Sequence, residues 1–238
     1  MRNDIADLNH LLRLLAGRLP DGQLDHRRHD LAATELWELE INLLGYCAAH
    51  AIPLREEEIA LLPEARACPG GSRIRKLTRW RETDRMPEYR FEPLDAEDSM
   101  AERLLLDMVR RDHLAVIRLR KAWRTPANAA AKNPPTVVYI AECAPGSDVS
   151  RRYGAFDVGS HGDQIEVVAE GEDLPPYQAG ALAAGQLIWT SPTVITHPDS
   201  TAAATPESPD DHRHRTGGGA TQLALDDLWD SRQQIESE

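Results

Sequence analysis

The run Cys68-Pro69-Gly70-Gly71-Ser72 divides this sequence into two parts that have different periodicities. Proline and paired glycines interrupt both helices and strands, so no regular element is expected to continue through this run. Before it, apolar residues recur at spacings of three and four. After it, this helical spacing is lost and runs of β-branched and aromatic residues take its place. The chain is therefore predicted to begin with a helical part and to continue with a part that contains strands.

Residues 1–67 carry the pattern of several short amphipathic helices. The strongest pattern follows Thr34, a predicted N-cap, and places glutamates in the first turn, where the helix dipole favours them. Its buried side is formed by Leu36, Leu39, Leu43, Leu44 and Cys47. Residues 53–67 predict a further helix that starts with three glutamates. These patterns together predict a helical bundle domain over residues 1–67.

Residues 73–192 predict an α+β domain with a mainly antiparallel sheet and two helices. The predicted strands are residues 73–81, 89–91, 114–123, 136–142 and 165–168, and the predicted helices are residues 98–111 and 175–189. Residues 193–219 are rich in Pro, Ser, Thr and Gly and predict a flexible linker. After the linker, residues 220–238 predict a short amphipathic acidic helix.

Composition restricts the compartment and the cofactors. The 238 residues carry a formal net charge of −12 and contain no long uninterrupted apolar run, so we expect neither a signal peptide nor a membrane span. Cys47, Cys68 and Cys143 have no CxxC spacing, which argues against a disulfide framework and a zinc site. We therefore expect a cytoplasmic protein that has no metal and no cofactor.

Catalytic motifs are absent from the sequence, and no catalytic residue is predicted. GxSxG, HExxH, GxxxxGK[ST] and GxGxxG do not occur. His26 and His29 could meet one metal ion on a helix face, but the intervening arginines favour a solvated surface. Residues 160–163 have the composition of an ordinary turn. We therefore expect no enzyme, although a small unrecognised active site in the α+β part stays open.

Two basic stretches oppose the overall sign of the chain. Residues 66–90 contain eight Lys/Arg against three Asp/Glu, and residues 110–124 contain six against one. One alternative function is therefore a nucleic-acid-associated regulator that binds phosphates through an arginine-rich strand face. The net charge of −12 makes nucleic acid the less favoured partner. Another alternative is an adaptor that acts through its C-terminal helix, residues 222–235.

A family resemblance lies in the first 67 residues. The run Glu35-Leu36-Trp37-Glu38-Leu39-Glu40-Ile41-Asn42-Leu43-Leu44, followed by His50-Ala51-Ile52-Pro53-Leu54-Arg55-Glu56-Glu57-Glu58, resembles the MafI-like immunity proteins of bacterial polymorphic toxin systems. Proteins of that family carry an acidic-aromatic run on a central helix and then a proline and two acids at the entry to the last helix. Glu40 stands where the family usually has a small residue, and Asn42 stands where it often has an acid.

The resemblance implies an intracellular antidote that binds a cognate toxin protein without chemistry. An acidic protein can occupy the basic cleft of such a partner, because its carboxylates replace phosphates. The partner-binding candidates are the exposed acids at two predicted helix starts: Glu35, Glu38, Glu56 and Glu57. The identity of the partner and the oligomeric state are not determined by the sequence.

Overall fold

The computed structural model describes residues 2–95, 99–111, 115–156 and 162–192. The chain divides into two units, Met1–Thr196 and His197–Glu238. The second unit lies outside the described residues, as do the predicted linker and the predicted acidic helix. Both the predicted helical part and the predicted α+β part fall within the first unit.

The first part of this unit is helical, as predicted. Its helices are α1 (Arg2–Leu14), α2 (Asp21–Ala32), α3 (Leu36–Ala49), α4 (Glu56–Ile59), α5 (Pro63–Ala67) and α6 (Ser72–Arg75). Their apolar sides share one core, whose larger members include Leu8, Leu11, Leu31, Leu39 and Leu43. Thr34 is not the N-cap of α3: it has a positive φ of 63°, and Glu35 is the cap residue.

The single helix predicted over residues 53–67 is wrong, because α4 and α5 replace it. Pro63 is the first residue of α5, and Leu62 before it has an extended ψ of 126°. A proline lacks the N–H that a continuing helix needs and disfavours helical geometry in the residue that precedes it. The chain therefore breaks at Leu62 and starts a new helical turn.

The strand predicted over residues 73–81 is also wrong. This segment forms the short helix α6, and beyond it only an isolated parallel bridge joins Arg79 to Leu54. Ile74 and Leu77 are both buried, and their spacing of three is that of a helical turn. Leu77 interrupts the alternation expected of a strand, and burial of both side chains favours the helical conformation.

The described strands form one mixed, mostly antiparallel sheet, which confirms the α+β class. The strands are β1 (Tyr89–Pro93), β2 (Val116–Pro126), β3 (Thr136–Cys143), β4 (Gln164–Ala169) and β5 (Gln186–Thr190). The order β1-β2-β3-β4 contains antiparallel pairs except for the parallel pair β3–β4. Both β1 and β5 pair with β2, at its two ends.

The helix predicted over residues 175–189 is half right. Helix α9 (Pro176–Ala184) forms, but the chain then turns at Gly185 into β5. A Cβ at Gly185 would lie 3.0 Å from both the Ala181 carbonyl oxygen and the Arg120 Cβ, so this turn fits glycine best. Leu187 and Trp189 then pair with β2, where apolar and aromatic residues pack well.

Helices cover both faces of the sheet. Helix α7 (Met100–Arg110), the short helix α8 (Val149–Arg152) and a 3-10 turn at Tyr153–Ala155 contribute to one core. Helix α9 covers the other face through Ala181, against Val138 and Ile140 of β3. None of the described helices is both long and apolar enough to cross a membrane.

Among the residues that the structure describes, side chains rather than another strand cover the outer edge of β4. Arg28 of α2 donates to the Ile165 carbonyl oxygen at 2.9 Å, and Arg13 of α1 donates to that of Val167 at 2.9 Å. The Val167 N–H donates to the Tyr153 hydroxyl at 3.1 Å. The helical part therefore supplies partners for an edge strand that would otherwise bury unsatisfied backbone groups.

Candidate functional site

The outward side of α3 presents an exposed tryptophan between exposed acids. We name this surface, consisting of Glu35, Trp37, Glu38, Ile41 and Asn42, the Trp37 face. Trp37 has a relative exposure of 69%, the largest among the exposed large apolar side chains of the described residues. Glu35, Glu38 and Asn42 are exposed and Ile41 is half-buried. An exposed apolar side chain of this size, rimmed by polar residues, is typical of a contact surface.

The helical period explains why these residues share one side. Trp37 and Ile41 are four residues apart, as are Glu38 and Asn42, and residues at this spacing are neighbours on a helix surface. The opposite side of α3 is anchored in the core by Leu39, Leu43, Leu44 and Cys47, each at most 2% exposed. The Trp37 face is therefore carried by a helix that is fixed from behind.

The charges of Glu35 and Glu38 are not neutralised by any ion pair among the residues that the structure describes. Both lie at the N-terminal end of α3, where the unpaired backbone N–H groups of a helix favour negative charge. Both side chains are therefore exposed beside the start of α3 without an ion-pair partner in the described part of the chain. The predicted candidates Glu35 and Glu38 form one acidic patch beside Trp37.

Glu56 and Glu57 lie in a different setting, at the start of α4. The Glu56 carboxylate accepts from Arg79 Nε at 2.8 Å, and that of Glu57 lies 3.8 Å from Arg55. Both glutamates are well exposed, but each has a cationic neighbour. No hydrogen bond or ion pair in the described part of the chain joins them to Glu35 or Glu38. The four predicted residues therefore lie on two elements, Glu35 and Glu38 at the start of α3 and Glu56 and Glu57 at the start of α4.

Glu40, one of the two residues that depart from the pattern of the resembled family, points inward and positions α5. Its side chain is only 8% exposed, and its Oε1 accepts the backbone N–H of Glu64 at 2.6 Å, in the first turn of α5. Burial raises the pKa of the Glu40 carboxyl, and the Glu64 N–H opposes this rise. Glu40 therefore acts as a cap for a neighbouring helix and is not part of the outward acidic surface.

The arginines of β2 are paired with carboxylates of this chain. Arg118 donates to Glu142 at 3.0 Å and to Glu170 at 2.6 Å, and Arg120 donates to Glu142 at 2.6 Å. The hydrogen bond to Glu170 is the main contribution that raises the pKa of Arg118, although partial desolvation opposes it. The positive charges of this strand face are therefore largely compensated within the fold.

The remaining sequence candidates do not assemble into a metal site. Among the described residues, no three His, Cys, Asp or Glu side chains are placed to hold a metal ion. The His29 ring lies 3.1 Å from the Asp25 carbonyl oxygen, one turn earlier in the same helix. The turn predicted at residues 160–163 lies partly outside the described residues.

Three members of this face were not among the predicted candidates: Trp37, Ile41 and Asn42. The signal was present in the sequence, because Trp37 falls on the polar side of the α3 period, next to Glu38 and opposite Leu39. A large apolar side chain on the polar side of a helix either stays exposed to solvent or contacts a partner.

No family model, curated protein or solved structure matches this chain.

Proposed function

We propose that this protein is a non-enzymatic binding protein that neutralises a cognate bacterial toxin domain through the Trp37 face. The observation that carries the proposal is the exposed Trp37 beside two acids that have no cationic partner among the described residues. The resemblance of residues 35–58 to immunity proteins supports the same surface. The proposed antidote acts in the cytoplasm, because widely spaced cysteines fit a reducing compartment.

Tryptophan and acidic residues contribute to binding in different ways. Tryptophan is among the side chains that most often dominate binding free energy, because it buries a large apolar area in a pocket of the partner. Carboxylates at the rim mainly steer a basic partner during diffusional encounter. The proposed partner surface is therefore an apolar pocket rimmed by lysine or arginine.

The rigidity of α3 favours this role. Leu39, Leu43 and Cys47 fix the helix to the core, so that the Trp37 face does not have to be ordered on binding. A pre-organised surface loses less conformational entropy when it associates. Glu56 and Glu57 are proposed as secondary contacts, since their arginine neighbours must be displaced or shared before they can bind a basic partner.

The alternative of a nucleic-acid regulator receives less support from the contacts. Ion pairs with Glu142 and Glu170 already engage the arginines of β2, so phosphates would have to displace carboxylates of this chain. The adaptor alternative depends on residues outside the described part of the chain. Neither alternative is favoured by a specific contact.

The test uses the tagged full chain to capture partners from a lysate of its own source organism. A captured polypeptide is identified by mass spectrometry, expressed alone, and measured for association and dissociation rates against four variants. Trp37→Ala is expected to raise the dissociation rate by at least about tenfold. Glu35→Lys with Glu38→Lys is expected to slow association, and the slowing should be greatest at low salt.

Two matched variants control for exposure and charge. Met100→Ala removes another large apolar side chain, 62% exposed, from α7. Glu82→Lys with Glu92→Lys reverses two exposed acids away from α3, and both double variants change the formal charge from −12 to −8. Equal rates for the Trp37→Ala and Met100→Ala variants would remove the Trp37 face from the interface. A captured partner that is no less toxic to cells when this protein is co-expressed would contradict the antidote role.

A further inference from the structure

The outward side of α3 is apolar along most of its length, although the helix already buries its opposite side. Four residues follow one another there at intervals of four, and we name them the α3 row: Trp37, Ile41, Gly45 and Ala49. Trp37, Gly45 and Ala49 are exposed, and Ile41 is half-buried. A helix that is apolar on both sides is typical of one that is covered on both sides. The outward side of α3 has no such cover in the described part of the chain.

Gly45 is a glycine that the fold of a single chain does not require. It lies inside α3 in a helical conformation, which an alanine could also adopt. A Cβ at Gly45 would meet no atom within 4 Å among the described residues. Glycine inside a helix is less favourable than alanine, because it loses more conformational freedom on folding. An exposed helical glycine fits a site that another molecule approaches closely.

The α3 row tapers from its N-terminal end to its C-terminal end. The bulky Trp37 lies four residues before Ile41 and the open space at Gly45 lies four residues after it, so each is about 6 Å from Ile41 along the helix axis. When two copies of α3 cross in antiparallel orientation at Ile41, Trp37 of each copy lies opposite Gly45 of the other. Rows of this spacing interdigitate in the commonest class of helix packing. The α3 row is therefore complementary to a second copy of itself, as a two-fold symmetric interface requires.

The charges of α3 favour the antiparallel orientation. Glu35 and Glu38 lie before Ile41, and residues 42–50 contain no acidic residue. In an antiparallel pair the glutamates of one copy lie beside the half of the other copy that has no acid. A parallel pair would instead place Glu38 against Glu38, where like charges repel. The net charge of −12 on each chain adds a repulsion that salt screens beyond about 8 Å at physiological ionic strength.

We propose that the α3 row is the interface of a homodimer, in which two copies of this chain cover each other's Trp37 in antiparallel orientation. An interface built on one helix is small, and interfaces below about 1,200 Å² are typical of transient complexes. The expected Kd is therefore on the order of 10–100 µM. The same residues then contact either a second copy or the toxin. This competition rests on the proposed function, whereas the dimer itself does not.

Sedimentation equilibrium of the full chain alone, from about 5 µM to about 0.5 mM, tests the dimer. The Kd of dimerisation is expected to fall when salt is raised from about 50 mM to about 500 mM, because two acidic copies then repel each other less. Association with a basic toxin should instead slow down with salt. A chain that stays monomeric up to about 0.5 mM overturns the dimer and leaves the toxin contact standing. Failure to capture a toxin contradicts the proposed function alone.

Two variants each remove one half of the contact. Trp37→Ala removes the bulky side chain and Gly45→Gln fills the recess, and each is expected to raise the Kd of dimerisation at least about tenfold. Met100→Ala and Gly22→Gln are the matched controls and should leave this Kd unchanged. Gly22 is an exposed glycine of α2, and a Cβ there would also meet nothing within 4 Å.

A mixture of the two variants tests the antiparallel arrangement. The Trp37→Ala chain keeps Gly45 and the Gly45→Gln chain keeps Trp37, so a mixed dimer regains one of the two contacts. The mixed pair is expected to associate at least about threefold more tightly than either variant with itself. A fluorescent tag on one variant lets sedimentation follow the mixed pair. Unchanged dimerisation of either variant, or a mixed pair that is no tighter, would show that the α3 row is not the interface.

Discussion

The guanidinium of Arg28 in α2 donates to the Glu166 carboxylate in β4 at 2.6 Å, and each side chain is 1% exposed. Glu166 also accepts from Gln178 of α9 at 3.0 Å, and Arg28 lies over the Tyr153 ring. Three elements that are distant in sequence therefore meet at one buried charge pair. This pair ties the helical part to the sheet. Two further contacts do the same: Arg13 donates to the Val167 carbonyl oxygen, and Arg124 forms an ion pair with Asp21 at 2.6 Å.

Replacing Arg28 by Met is expected to destabilise the protein by about 3–5 kcal/mol, because the change leaves Glu166 charged and buried without its cation. The free energy of unfolding from urea titrations at pH 7 measures the loss. The double variant Arg28→Met with Glu166→Leu is expected to recover part of the lost free energy of unfolding. Replacing both members of a buried ion pair by apolar side chains destabilises a protein less than removing one member does. A double variant that is less stable than Arg28→Met alone would contradict this account.

Gly17→Ala is expected to destabilise the protein by about 1–3 kcal/mol. Gly17 has a φ of 78°, and a Cβ there would lie 2.6 Å from the Tyr89 ring. Gly45→Ala on α3 is the matched control, because a Cβ at Gly45 has nothing within 4 Å. That change should stabilise the helix by about 0.5–1 kcal/mol. Thermal unfolding of both variants measures whether the two changes in stability have opposite signs.

Thiol labelling of the native protein at pH 8 is expected to modify Cys68 alone. Cys68 is exposed, whereas Cys47 and Cys143 are buried. Burial raises the pKa of Cys47 to about 12 and that of Cys143 to about 11, which removes the reactive thiolate at pH 8. A chromogenic disulfide reagent should therefore report one thiol per chain before unfolding and three in denaturant. Rapid native labelling of a Cys68→Ser variant would disprove the assignment.

Glu40→Gln is expected to change how stability depends on pH. Burial raises the pKa of Glu40 above its ordinary value of 4.5, so the folded state binds this proton more tightly than the unfolded state does. Stability from this group is therefore greatest at low pH and is lost as the pH rises through the raised pKa. The amide that replaces the carboxyl in this variant does not titrate, and its oxygen can still accept from the Glu64 N–H.

Urea titrations at several pH values above about 4.5 measure this difference. The stability of the Glu40→Gln variant relative to the unmodified protein should increase with pH. A relative stability that stays constant or decreases would show that the carboxylate form of Glu40 is not disfavoured in the fold.

The α+β class and the two sides of α3 could be predicted from the sequence, because both depend on local periodicity. Leu39, Leu43 and Cys47 repeat at helical spacing, and burial of that side leaves Glu35 and Glu38 outside. The same period marked Trp37 as an apolar residue on the polar side. Local patterns fail where an element is short or where one apolar run fits two conformations. Helix α6 has only four residues, too few to repeat the helical spacing of Ile74 and Leu77, and Leu187 fits either α9 or β5.

Only the tertiary structure decided which charged side chains remain available to bind a partner. The sequence shows an excess of arginine in the second basic stretch, but the glutamates that compensate Arg118 and Arg120 come from β3 and from the loop after β4. Likewise, Arg28 and Glu166 are 138 residues apart in the chain. Periodicity records which side of an element is apolar, because burial acts on each element separately. Ion pairing depends on which elements become neighbours, and this is fixed only when the whole chain packs.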